Sequence, residues 1–141
     1  ERSLQESEIL DQNSREIIRA LLTAFEMSQD VKRIRCHRDF QISNWHFAGS
    51  QLEVLDFEHS RLDYFLQDFV KLAYSVPEAL FKAFLQGYGI ALNAEQRLHL
   101  QLLGWQHALT TWQWGHKHHV AAFKSHGQEL IGRLLANPQR P

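Results

Sequence analysis

Long apolar runs, cysteines and net charge are what this sequence has least of. No apolar stretch approaches the roughly 18 residues that a membrane-spanning helix needs. A single cysteine, Cys36, rules out an intrachain disulfide and leans toward a reducing compartment. The formal net charge of −1 gives no global field that would draw the chain to nucleic acid or to an anionic membrane surface. The N-terminal stretch "ERSLQESEIL" is charged and has no apolar h-region, so it does not read as a signal peptide. Together these absences predict a cytoplasmic protein with neither membrane nor nucleic acid as partner. The first residue is Glu1 rather than Met, which reads as a fragment or a processed product. Internal repeats and low-complexity segments are also missing.

A chain of 141 residues suits one domain with a real core. Hydrophobic residues at 44% and charged residues at 22% are ordinary for a globular protein. Residues 4–28 read as a helix, because Leu10, Ile17, Ile18, Leu21, Leu22 and Phe25 recur at three- and four-residue spacing. Ser3 with Glu6 is a weak capping box at its start, and "SQD" ends it. The texture then changes to short apolar-rich pieces: "RIRC" (33–36), "NWHFA" (44–48) and "LEVLDF" (52–57). These read as strands, the last pair a hairpin turning at Gly49.

From about Phe65 the helical pattern returns. "FLQDFVKLAYS" is followed by a helix with Pro77 at its first position and Gly87 or Gly89 at its end. A long helix then starts at Asn93 as N-cap and runs to "HKHH" (116–119). The last, "AAFKSHGQELIGRLLA", is expected to be interrupted by Gly127 and Gly132. The predicted class is α+β, mostly helical, with a small β-hairpin.

Chemistry concentrates in "CHRDFQISN". His37, Asp39 and Asn44 have the spacing of a kinase catalytic loop, in which the Asp contacts the acceptor hydroxyl and the Asn holds Mg²⁺. Asp56, Phe57 and Glu58 follow where a second metal-binding motif belongs. Mg²⁺ takes hard oxygen ligands, so one carboxylate and one amide carbonyl, completed by phosphate oxygens, suit it. A carboxylate free of the metal can orient an alcohol. Its pKa near 4 lies roughly ten units or more below that of the alcohol, so orientation outweighs prior deprotonation. The competing interpretation makes Asp39 and Asn44 turn residues and Asp56 a loop cap.

On these residues the sequence resembles the C-terminal lobe of the aminoglycoside phosphotransferase family, small-molecule relatives of protein kinases. "CHRDFQISN" is similar to that family's His-Gly-Asp-x-x-x-x-Asn loop, and "VLDFEHSRLDYFLQDFVKLAY" to its Asp-Phe segment. The resemblance spans most of the chain, with its specific motifs between residues 36 and 74. It implies a kinase-like C-lobe as a single domain over 1–141, with a catalytic loop at 36–45, a metal loop at 55–68 and a helical substrate-side subdomain at 65–137. It further implies Mg²⁺ and ATP, with transfer of the γ-phosphoryl group to a small-molecule alcohol. Asp39 would be catalytic, Asn44 and Asp56 metal ligands with Glu58 as a further one, and His37, Arg38 and Asp68 loop supports. "DFEHSRLDY" is also similar to choline and ethanolamine kinases, which makes Glu58 and Tyr64 candidates for the substrate side; Trp114 joins them because it falls nearly opposite Trp112 on its helix and aromatic faces attract cations. Acidic side chains around the site favour an amine-bearing acceptor.

The departures carry information. Arg38 stands where the family often has Gly, and Asp63, Tyr64 and Phe65 where Gly-Asp-Pro is common. No glycine-rich phosphate loop and no "VAIK"-like lysine strand occurs in the 141 residues, so a nucleotide-binding N-terminal lobe is expected to precede Glu1 and the fragment alone to be inactive. A non-catalytic helical module, dimerising through the face such a lobe would cover, is the alternative of another class. Trp105 and Trp112 read as one buried face, Trp114 as a substrate wall or a helix contact, and "HKHH" as a helix end rather than a zinc site. Cys36 is expected to be buried and inert.

Overall fold

The computed structural model describes residues 12–26 and 33–137. Its elements, in chain order, begin with α1 (Gln12–Glu26) and β1 (Arg33–Cys36), followed by a 3₁₀ turn at Ile42–Asn44. Strands β2 (Trp45–Ala48), β3 (Gln51–Val54) and β4 (Arg61–Tyr64) come next. Four helices follow among the described residues: α2 (Gln67–Ser75), α3 (Glu78–Tyr88), α4 (Ala94–Lys117) and α5 (Ala121–Ala136). The structure is mostly helical with two small antiparallel sheets, compatible with the expected α+β class. No helix among the described residues is long and apolar enough to cross a membrane.

The predicted hairpin is β2–β3, with Trp45 opposite Val54 and Ala48 opposite Gln51. Gly49 takes φ 65° at its turn, a conformation that costs glycine nothing. Strand β4 was not expected. It pairs antiparallel with β1, Cys36 against Arg61 and Arg33 against Tyr64, inside what the sequence reads as loop 55–68. Four residues give too short a pattern to register as a strand without their partner.

The helices correct and sharpen several expectations. Pro77 sits at the N-cap of α3 rather than its first turn, and Gly89 closes that helix at φ 79°. Asn93 caps α4 in a reciprocal box: its Oδ1 accepts from the Gln96 amide at 2.8 Å, and Gln96 Oε1 accepts from the Asn93 amide at 2.9 Å. The last helix is continuous across Gly127 and Gly132. Gly127 is there for contact, since a Cβ on it would lie 2.5 Å from the Trp112 backbone nitrogen. Gly115 meets Phe123 and Lys124 as closely, and these two glycines let α4 and α5 pack as a tight antiparallel pair.

The core lies where α2, α4 and α5 converge, around Leu66, Phe69, Ala73, Leu100, Trp105 and Leu130. Trp105 and Trp112 are buried, as their spacing predicts. Helix α1 packs on α4, with Ile18 at the core edge and Leu22 exposed. The outer parts of the predicted 4–28 helix, its Ser3–Glu6 box and the "SQD" stop lie outside the described residues. A row of aromatic contacts, Phe40 with Trp45 and Phe84, then Phe84 with Phe69, ties the loop after β1 to α3 and α2.

Candidate active site

The loop that leaves β1 is built on one buried carboxylate. Asp68, in the first turn of α2, accepts the backbone N–H of His37 at 2.9 Å and of Arg38 at 2.6 Å. Arg38 adopts φ 68°, the left-handed region that glycine tolerates and other residues adopt at a cost of roughly 1–2 kcal/mol. This explains why glycine suits the position. Here the Asp68 bond and an ion pair to Asp63 at 3.2 Å hold the arginine in that conformation. Burial raises the pKa of Asp68, an effect partly offset by the hydrogen bond from His37.

His37 stitches the loop to the hairpin. Its Nδ1 accepts the Asp39 backbone N–H at 3.2 Å, so the ring proton sits on Nε2 and is donated to the Leu55 carbonyl at 2.8 Å. A second link is the Leu55 amide, which donates to the Asn44 carbonyl at 2.8 Å. That bond extends the β2–β3 ladder one step beyond Trp45 and Val54, so Asn44 faces Leu55 at the open end of the hairpin. Asp56 is the next residue, at φ 66° and exposed. The catalytic and metal loops of the sequence reading are therefore adjacent.

Asp39 is the centre of the polar contacts. Asn44 Nδ2 donates to its carboxylate at 2.8 Å and to its carbonyl at 2.8 Å, and Gln41 Nε2 donates to both carboxylate oxygens. Lys71, on α2, forms an ion pair with the same carboxylate. Burial pushes the Asp39 pKa up, but the hydrogen bonds from Lys71, Asn44 and Gln41 outweigh it and hold the group below the usual carboxylate value.

The donor set can be tested against Mg²⁺. Asn44 uses its amide nitrogen on Asp39, which leaves its carbonyl oxygen as donor, and Asp56 supplies a carboxylate one residue beyond Leu55. No group of three or more His, Cys, Asp or Glu able to hold a metal occurs among the described residues. Two oxygen donors are too few for a metal caged by protein alone, but they fit a cation that keeps water and takes substrate phosphates. Glu58 is exposed and pairs with His59 at 3.2 Å.

Beside Asp39 opens a cavity of about 480 Å³, lined by Arg38, Asp39, Gln41, Lys71, His107 and His126, with Phe123 and Thr111 also in its lining. A smaller one of about 240 Å³ shares Arg38, Lys71 and His107. Neither is lined by Glu58, Tyr64 or Trp114. Strand alternation turns Tyr64 to the core, edge-on to His99 and Phe65. Trp114 packs on His118 and Phe123, so it makes the helix contact with α5 and stays nearly half exposed. Cys36 is fully buried, and burial, followed by Asp68 and Asp63, pushes its thiol up to about 11.

Sequence reasoning missed Lys71, Gln41, His107 and His126. For Lys71 a signal existed. It lies three residues after Asp68, so a helix that turns Asp68 to the loop presents Lys71 to it as well. The histidines gave none, because their faces depend on how α4 meets α5.

A braced aspartate bonded to an amide, with a second carboxylate residue at the adjoining end of the hairpin, is the type of arrangement phosphoryl transfer asks for. Residues 2–122 match the model of the phosphotransferase enzyme family, and the chain belongs to that family. No curated protein matches the chain.

Proposed function

We propose that the chain forms the kinase-like C-lobe of an ATP- and Mg²⁺-dependent enzyme that phosphorylates a hydroxyl of a small molecule. The observation that carries this reading is the Asp39–Asn44 contact beside the hairpin end that bears Asp56. Asp39 accepts and orients the acceptor hydroxyl, its lowered pKa keeping it ionised across the physiological range. Asn44 and Asp56 would hold Mg²⁺, with Glu58 within the same loop as a further ligand. The ion would neutralise charge on the nucleotide phosphates. His37, Arg38 and Asp68 keep the loop in register with the hairpin.

The nucleotide grip, absent as a motif from these residues, would come from a second lobe. Phe47, Leu52, Leu55 and Phe57 are exposed on and beside the hairpin, and such a lobe would cover them. The test is Mg²⁺-dependent ADP release by the intact protein containing this chain, against a panel of small alcohols. Acceptor-dependent release that disappears in Asp39→Ala supports the reading. Release that persists in the variant, or its absence with every acceptor, defeats it.

A further inference from the structure

Resting on that reading, we propose that the acceptor alcohol carries an anionic group, a phosphate or a carboxylate, which binds in the cavity beside Asp39 between Lys71, His107 and His126. The lining supports it by what it contains. Arg38 and Lys71 bring two fixed positive charges, and His59, His107 and His126 bring three imidazoles. Asp39 is the one carboxylate among these lining residues, and Lys71 already occupies it. An amine-bearing acceptor would have to displace Lys71 from Asp39 and would find no second acid in the lining. Nor does it find an aromatic cage, since Phe123 is the single Phe, Tyr or Trp there.

An anion meets the opposite situation. The Lys71 ammonium has three donors, and Asp39 engages one of its sides, leaving N–H groups for a ligand. Thr111, one turn after His107 on α4, adds a hydroxyl to the lining. The nearby acids are already engaged: Asp63 with Arg38 and Arg61, Glu58 with His59, Asp68 with two backbone amides. Burial first, then Lys71 and His126 against the opposing Asp39, lowers the His107 pKa to about 4, so at neutral pH its imidazole offers an anion a hydrogen bond rather than a charge. An acceptor spanning the cavity would place its hydroxyl at Asp39 and its anionic end against α4 and α5. Of this wall, Phe123 and His126 on α5 lie beyond the span that matches the family, while His107 and Thr111 on α4 lie within it.

The experiment is calorimetric titration of the intact protein, without nucleotide, with three matched probes: glycerol 3-phosphate, glycerol and 2-aminopropane-1,3-diol. The expected result is glycerol 3-phosphate bound at least about tenfold more tightly than glycerol, with the amine weakest. His126→Gln, on the exposed side of α5, should weaken the phosphate about tenfold and leave glycerol unchanged, and Lys71→Met should weaken the phosphate at least as much, with circular dichroism confirming the fold. Equal binding of the three, preference for the amine, no binding of the phosphate, or variants without effect would overturn the proposal. So would displacement of glycerol 3-phosphate by Mg-ADP, because the basic lining would then serve the nucleotide. ADP release separates the two readings. Anion binding with no turnover on any acceptor defeats phosphoryl transfer and leaves the anion site. Turnover on amines alone defeats only the anion site.

Discussion

The β-rich part of the chain, residues 33–64, and the helical part, residues 67–136, are held together by different physics. The helices are bound by apolar contact: Leu66, Leu100 and Leu130 are fully or almost fully buried, and two glycines bring backbones together. The strands bury little, since Phe47 and Leu62 remain more than half exposed. Their loops are fixed instead by directed bonds to Asp68, His37 and Asn44. Apolar packing tolerates chemical change but not change of volume, whereas hydrogen-bonded loops tolerate neither a lost partner nor a changed charge. The reacting groups thus stand on the sensitive part, and the stability on the other.

Substitutions can break this contrast, and the largest effect belongs to the loop. Asp39→Asn should lower acceptor-dependent turnover of the intact protein about 10³-fold and lower the melting temperature by a smaller measure, since Lys71 loses its ion-pair partner while Asn44 and Gln41 still find a carbonyl to bond. Steady-state kinetics and thermal denaturation check both halves. In the helical part, Gly127→Leu should do the reverse. It drives side-chain atoms into the Trp112 backbone and should cost about 3 kcal/mol or more in urea unfolding.

The third prediction concerns pH and crosses the boundary between the two parts. His107, on α4, faces Lys71 and His126, with Asp39 as the opposing charge. Its folded pKa of about 4 lies below the ordinary 6.5, so the folded state binds this proton less readily than the unfolded chain. Its contribution is complete above pH 6.5 and is lost as the pH falls toward 4, up to about 3 kcal/mol. Asp39, also lowered, adds loss of the same sign at still lower pH. His107→Gln should flatten the stability profile between pH 6.5 and 4, measured by urea unfolding at each pH.

Smaller effects sharpen the picture. Asp68→Asn retains one acceptor for two amides and should cost about 2 kcal/mol, with a larger fraction of the loss appearing in turnover than in folding. Arg38→Gly relieves the left-handed conformation but loses the Asp63 pair and stiffens nothing, so its net change in urea stability should stay within about 1 kcal/mol.

The sequence exposed these two parts unequally. Apolar periodicity and the Asn93 cap made the helices legible, because a helix is specified by residues near one another in the chain. The motif residues Asp39, Asn44 and Asp56 were legible by spacing, and their adjacency follows from the hairpin register. Strand β4 was not, since Arg61–Tyr64 becomes a strand only against β1, some 28 residues earlier. The wall of the cavity was equally hidden. His107 and His126 come together through the approach of α4 and α5, which depends on Gly115 and on Gly127, the second of which the sequence reading took for an interruption.

Cys36 gives the molecule a built-in clock. It is the single sulfhydryl of the chain, fully enclosed between β1 and β4 and almost entirely protonated at neutral pH. A thiol-reactive dye can therefore mark it only when those strands part. The rate of labelling then times the opening of the very segment that carries His37, Arg38 and Asp39. Added ligands can be ranked by how far they slow that rate, with no need to engineer a probe into the chain.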